Sequence, residues 1–221
     1  MVLAPGAAVY PSSAMGATSR LARGLDTDFG MHGVQPQRWF DRRVEEGYEW
    51  FWTTGHTFWD ARPDVWRDGR VALDRALNAG LRIAAYGRPV GRWREALRGF
   101  GSLARHLEFY ALDVEYEADG QAHRVTRDMV SGVRDMGVRP VIYTGSYMWN
   151  EIMGGSDEFA DVPLLDHAGN VPGWPDSLST PGYGGWAARI GQQLRLNVEC
   201  DGITIDENVI ERSFLRDQLV A

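Results

Sequence analysis

The stretch LEFYALDVE, residues 107–115, decides the fold. It reads as one long strand whose apolar body ends in two carboxylates, Asp113 and Glu115, with Glu117 just beyond. Residues at i and i+2 on a strand face the same side, so the two carboxylates share one. Their Cα atoms stand about 6.6 Å apart, two steps of roughly 3.3 Å. Helical patterns bracket the strand, over residues 92–103 and 126–136. Thr126 is placed to cap the second of these and Gly137 to stop it.

Working outward, the same alternation continues in both directions. Upstream, a first apolar run around Leu25 ends in Asp26-Thr27-Asp28. A helix follows over residues 36–46, with Trp39, Phe40 and Val44 at helical spacing. Then come an aromatic strand over 48–53, a helix over 65–79 stopped by Gly80, and a strand over 81–86. Downstream, Pro140 introduces a strand over 141–144, and a short helix covers 147–153. After that the helices fade. Strands over 162–165, 187–194 and 202–205 are joined by loops, the longest rich in Pro, Gly and Ser over 171–185. About five βα units followed by about three strands predict a distorted α/β barrel of the TIM type, parallel, with a degenerate last third. An open doubly wound sheet is the alternative, although no Gly-rich phosphate loop follows the first strand. The expected organisation is an N-terminal arm over residues 1–22 and a single barrel domain over 23–221.

Composition removes whole function classes. At 221 residues, 44% hydrophobic and 24% charged, the chain is long and apolar enough for a full core, which excludes bulk disorder and coiled coil. A net charge of -7 disfavours nucleic acid, whose phosphates need a basic face. All 23 basic residues are arginine, so Schiff-base, P-loop and Ser–Lys chemistries are out. The one cysteine, Cys200, permits neither an internal disulfide nor a four-cysteine metal site and is read as structural. His32, His56, His106, His123 and His167 lack metal-ligand spacing, so neither metal nor cofactor is expected. No apolar run reaches about 18 residues, so no membrane span is expected. The first 20 residues read as a small-residue arm, not as a signal peptide. A protein acting outside the cell would then need another release route.

The polar residues fall at strand ends: Asp26 and Asp28 on the first strand, Tyr86 on the third, Asp113 and Glu115 on the fourth, Tyr143 on the fifth and Asp206 on the last. In a parallel α/β barrel that rim carries the active site. Two carboxylates facing one cavity repel, one holds its proton more tightly, and that proton serves general acid chemistry. Glycoside cleavage needs such an acid together with an anion for the developing positive charge. The plainer reading of Asp113 and Glu115 is a solvated strand end with arginine partners. Tyr86 and Tyr143 are hydrogen-bond donors to a substrate or, alternatively, core tyrosines. Most of the nine tryptophans should be core, with Trp52, Trp149 and Trp186 nearest the rim and Trp174 in the late loop. His167 follows a strand, which allows it to face the rim, and a surface or loop position is the plainer expectation for it.

Taken in order, these strand ends resemble those of glycoside hydrolase family 25, the lysozymes (N-acetylmuramidases) of bacteria and their phages. The resemblance runs over residues 24–210. GLDTDFG resembles the opening G-V-D-V-S strand and ALNAGLRIAAYG the A-x-x-A-G-L-x-x-G-A-Y-H segment. FYALDVE is similar to the catalytic L-D-x-E segment, and GVRPVIYTG to G-x-x-P-x-I-Y-T. VPLLDHA resembles P-L-W-x-A, and GITIDENVI the closing V-D-x-N-x-F strand. The resemblance implies a distorted barrel of about eight strands lacking its last helices, and cofactor-free cleavage of the β-1,4 bond between N-acetylmuramic acid and N-acetylglucosamine. By position it makes Glu115 the general acid and Asp113 the group that orients and stabilises the reacting 2-acetamido function or the oxocarbenium-like centre. Asp26 and Asp206 would tune those acids, and Tyr86 and Tyr143 would line the sugar site. Retention through the substrate's own acetamido group is the mechanism the family implies.

Three departures stand out. The family's K-A-T-E-G segment is replaced by FWTTGHTFWD, with Trp52 in the lysine's place and Gly55 in a stretch lacking the glutamate. Gly87 stands where a histidine follows the tyrosine, and Asp28 where a serine follows the first aspartate. The expected function is a peptidoglycan hydrolase acting on glycan strands at the bacterial cell wall, in the setting of a phage lysin. The alternative is a lysozyme-like barrel serving as a virion-tail or wall-binding module with weak or no catalysis, its arm contacting an assembly partner. A hydrolase for another glycan is the third reading.

Overall fold

The computed structural model describes residues 19–27, 33–54, 67–89, 93–116, 124–167 and 169–215. Eight strands close into a barrel in chain order: β1 (Leu21–Asp26), β2 (Trp50–Thr54), β3 (Arg82–Gly87), β4 (Leu107–Asp113), β5 (Pro140–Thr144), β6 (Leu164–His167), β7 (Gly191–Cys200) and β8 (Ile203–Glu211). Five α-helices lie between them: α1 (Gln37–Glu45), α2 (Arg67–Ala79), α3 (Trp93–Gly99), α4 (Arg127–Asp135) and α5 (Ser146–Met153). Thr126 caps α4 by accepting from the Met129 amide, as its position predicts. Among the described residues no helix is long and apolar enough to cross a membrane.

The first seven strands run parallel to their neighbours, but β8 is antiparallel to both β7 and β1. The expectation of parallel strands throughout fails here for a geometric reason. Only Asp201 and Gly202 separate β7 from β8, both with positive φ (52° and 81°). That is the two-residue hairpin turn, whereas a parallel return needs a crossover of about a dozen residues. Asp206 therefore does not end the last strand. It lies inside β8, on the return from the rim, directly opposite Asp26 at the end of β1.

Leu21 and Ala22, assigned to the arm from sequence, are the first residues of β1. Residues 1–18 of that arm lie outside the described residues. Where helices are missing, loop residues cover the sheet. Leu21, Leu194 and Val209 on the outer face of β1, β7 and β8 pack against Val171, Trp174 and Leu178. The Trp174 ring lies under the guanidinium groups of Arg23 and Arg195, at 4.0 and 4.8 Å. The hairpin tip is anchored to α1 by Asp201, which pairs with Arg42 and Arg43 at 3.2 and 2.8 Å.

The interior of the barrel is filled by alternating large and small side chains. Trp50, Trp52 and Phe109 occupy the centre, faced by Ala22, Ala84 and Ala111. Gly24 on β1 is part of the same fit, because a Cβ there would fall inside the Trp50 indole. This aromatic plug fills the lower barrel, and a cavity opens above Trp52.

Candidate active site

Seven parallel strands deliver their last inward-facing residues to one rim, and β8 enters that rim from the opposite direction. Asp26, Tyr86, Asp113, Glu115, Tyr143 and Asp206 consequently line one cavity of about 450 Å³, together with Trp52, His167, Gln193 and Leu196. All six residues singled out from sequence are brought together. Asp28, Glu117 and Gly55, noted beside them, lie outside the described residues, as do His32, His56 and His123.

Asp26 is buried, and its Oδ2 accepts from three neutral donors: Trp52 Nε1 at 2.7 Å, Asn208 Nδ2 at 2.8 Å and Gln193 Nε2 at 3.3 Å. Burial first, and the nearby Asp206 second, push its pKa well above the usual carboxylate value against the pull of those donors. Asp206 is also pushed up, by burial, with Glu115 adding to the shift and the Asn197 amide and His167 opposing it. That amide reaches Asp206 Oδ1 at 2.8 Å because β7 bulges there and Asn197 adopts a left-handed φ of 54°. Gln193 Nε2 also stands 3.3 Å from Asp206 Oδ2, so one amide serves both carboxylates.

The far face of Gln193 is equally committed. Its Oε1 accepts from the Tyr143 hydroxyl at 2.5 Å and lies 3.0 Å from His167 Nδ1, which is itself 3.2 Å from the Tyr143 oxygen. The amide orientation is set by this: its nitrogen meets two acceptors and its oxygen meets a hydroxyl and an imidazole. Tyr143 has its pKa pushed well up, by burial and then by Glu115, Asp113, Asp26 and Asp206. It stays a hydroxyl donor through the working pH range.

Across the cavity, Asp113 is buried, with its side chain 4% exposed, while that of Glu115 is 24% exposed. Sequence reasoning made these two a mutually repelling pair. The structure places Arg88 Nη1 at 3.3 Å from Asp113 Oδ1 and 3.2 Å from Glu115 Oε2. The arginine partner of the plainer reading is present.

Trp52, the departure from the family's lysine, forms the cavity floor at 1% exposure, packs on Tyr86 at 4.8 Å and donates to Asp26. The other rim tryptophans are elsewhere. Trp149 and Trp186 form a buried edge-on pair at 4.7 Å in the outer core, and Trp174 covers the β1–β8 face. Among the described residues, Trp50 and Trp52 are the tryptophans that enter the barrel.

Sequence reasoning missed Arg88, Gln193 and Asn208; of its two readings for His167, rim or surface loop, the structure shows the rim. The rule that found Asp26 finds Arg88 and His167 too, since both stand at the ends of strands. Asn208 carried a signal as the i+2 partner of Asp206 within the D-x-N pattern. Gln193 was placed near the end of a strand over 187–194, and the strand is Gly191–Cys200.

A closed α/β barrel with four carboxylates in one rim cavity is the architecture that carries active sites at the C-terminal ends of its strands. In fold the barrel is similar to those of solved lysozymes and of a glycosyl hydrolase 25. The bacterial lysozyme of Streptomyces coelicolor superposes with a TM-score of 0.64 at 16% identity, covering 87% of this chain and 92% of that one. The spore cortex lytic enzyme SleM of Clostridium perfringens gives 0.62 at 16% identity, over 89% and 69% of the two chains. A glycosyl hydrolase 25 of Streptococcus pneumoniae gives 0.54 at 14%, over 87% and 88%. No protein-family model and no curated protein sequence matches this chain. At these identities the likeness is one of fold.

Proposed function

We propose that the protein is a peptidoglycan hydrolase of the muramidase type, cutting the β-1,4 bond between N-acetylmuramic acid and N-acetylglucosamine at the bacterial cell wall. One observation carries this reading. A reachable carboxyl, Glu115, stands beside a buried one, Asp113, and both face Asp26 and Asp206 across a cavity of about 450 Å³. The fold supports it, since the similar structures are lysozymes and a spore cortex lytic enzyme.

The geometry divides the work. Glu115, the more exposed of the pair, is the group that a leaving glycosidic oxygen can reach, so it serves as general acid. Its proton moves to that oxygen as the acetamido oxygen displaces it from the anomeric carbon, and the Glu115 carboxylate then takes a proton from the water that displaces the acetamido oxygen in turn. Asp113, held below it, orients the 2-acetamido group toward the anomeric carbon. Asp26 and Asp206 set the field on the other side of the sugar, and Tyr86 and Tyr143 line the site.

A second reading is a wall-binding barrel with weak or no catalysis. Two contacts favour it: Trp52 fills the place of a lysine, and Arg88 engages the acid. Digesting purified peptidoglycan, reducing the new ends and identifying the reduced sugar separates the readings. Reduced muramic acid is the expected product. Reduced glucosamine would reassign the bond, and binding to the wall without new ends would favour the second reading.

A further inference from the structure

The four carboxylates of the cavity are managed by two different means. On the Asp26–Asp206 side the contacting side chains Trp52, Asn208 and Gln193 are neutral. On the Asp113–Glu115 side one guanidinium spans both acids. Its place follows from register. Gly87, the last residue of β3, pairs with Leu112 of β4, so the next residue, Arg88, comes level with Asp113. Asp113 and Glu115 stand at i and i+2 and line the same cavity, and one guanidinium nitrogen, Nη1, lies between them at 3.3 and 3.2 Å. The cation that the resemblance leads one to expect on β2 is absent, and a cation arrives instead from β3.

Resting on the function proposed above, we propose that Arg88 is a positioning residue for the Asp113–Glu115 pair, and that turnover depends on its guanidinium. It offsets the repulsion between two acids held in one cavity and fixes the Glu115 carboxyl where the leaving oxygen arrives. When Glu115 has given its proton to that oxygen, a carboxylate charge remains beside the guanidinium. The counter-charge is already in place, so nothing has to reorganise during the step.

The test compares wild type with Arg88→Ala and Arg88→Lys on a soluble muroglycan oligomer, with thermal unfolding as a check on the fold. Arg88→Ala should lower kcat about 100-fold, the usual cost of misplacing a reacting group by around 1 Å, while KM stays within roughly twofold. Guanidinium ion added to Arg88→Ala should restore part of the lost kcat, and Arg88→Lys should fall between the two. An unchanged or higher kcat would overturn the proposal, the latter showing that the contact blocks the acid. A raised KM at constant kcat would overturn it in favour of a substrate contact. A lower melting temperature without rescue by guanidinium would reduce Arg88 to a structural ion pair. No turnover by the wild type on any glycan would overturn the functional reading itself, and this inference with it.

Discussion

Replacing Trp52 by Phe tests the energetics of the cavity floor, because it removes one donor and little else. The indole is 1% exposed, and its Nε1 lies 2.7 Å from Asp26 Oδ2. Phe is roughly 40 Å³ smaller, and at about 24 cal/mol per Å³ of residual cavity the void costs about 1 kcal/mol at any pH. The lost hydrogen bond costs about 1 kcal/mol if Asp26 is a neutral acid and about 1.5–3 kcal/mol if it is an anion. Asp26 has its folded pKa raised above the unfolded value of about 3.9. Its contribution to stability is therefore full below that unfolded value and is lost as pH rises through the folded one. The Trp52 bond counters part of that loss by favouring the anion. Removing it should cost about 2 kcal/mol while Asp26 is a neutral acid and about 2.5–4 kcal/mol once the pH has passed its folded pKa. Urea unfolding of both proteins along a pH series upward from 4 measures this, provided the m-values agree. A cost that falls as pH rises would refute the assignment of Trp52 as donor to a titrating, upward-shifted carboxyl.

The same linkage gives Asp26→Asn a distinct signature. The neutral amide does not lose stability as pH rises, so the variant should gain on wild type between pH 4 and pH 9 in thermal melts, whereas a uniform loss would speak against the raised pKa. Gly24→Ala drives a methyl into the Trp50 indole, which already donates to Ala22 O. Overpacking costs about 1–3 kcal/mol and displacing that donor about 1–3 more, so denaturant unfolding should show a loss of at least about 2 kcal/mol. A loss under about 1 kcal/mol would mean the interior is looser than the Trp50–Trp52–Phe109 plug indicates.

Much of the architecture is legible in the sequence because its signals are local. Apolar runs, Gly80 and Gly137 as stops and Thr126 as a cap place most strands and helices to within a few residues. Alternation along the strand predicted over 107–115 puts Asp113 and Glu115 on one side without any tertiary information; β4 ends at Asp113, and Glu115 lines the same cavity from two residues beyond it. The direction of β8 was not legible from strand count alone. It depends on the two left-handed residues, Asp201 and Gly202, which close a hairpin. Arg88 and Gln193 escaped for a different reason. Their importance lies in whom they touch, and cross-strand register between β3 and β4, or between β7 and β8, fixes that. Trp52 shows the limit most clearly. Its presence in place of a lysine is visible in the sequence, but its role as donor to Asp26 needs β1 and β2 side by side, with Asp26 level with Trp52.

The central claim is that Glu115 is the acid of a glycoside hydrolase. The most direct measurement incubates wild type and Glu115→Gln with isolated peptidoglycan and identifies the released fragments by mass spectrometry, with circular dichroism confirming equal folding. New muramic-acid reducing ends are expected from wild type and none from the variant. Release by Glu115→Gln at the wild-type rate would contradict that claim.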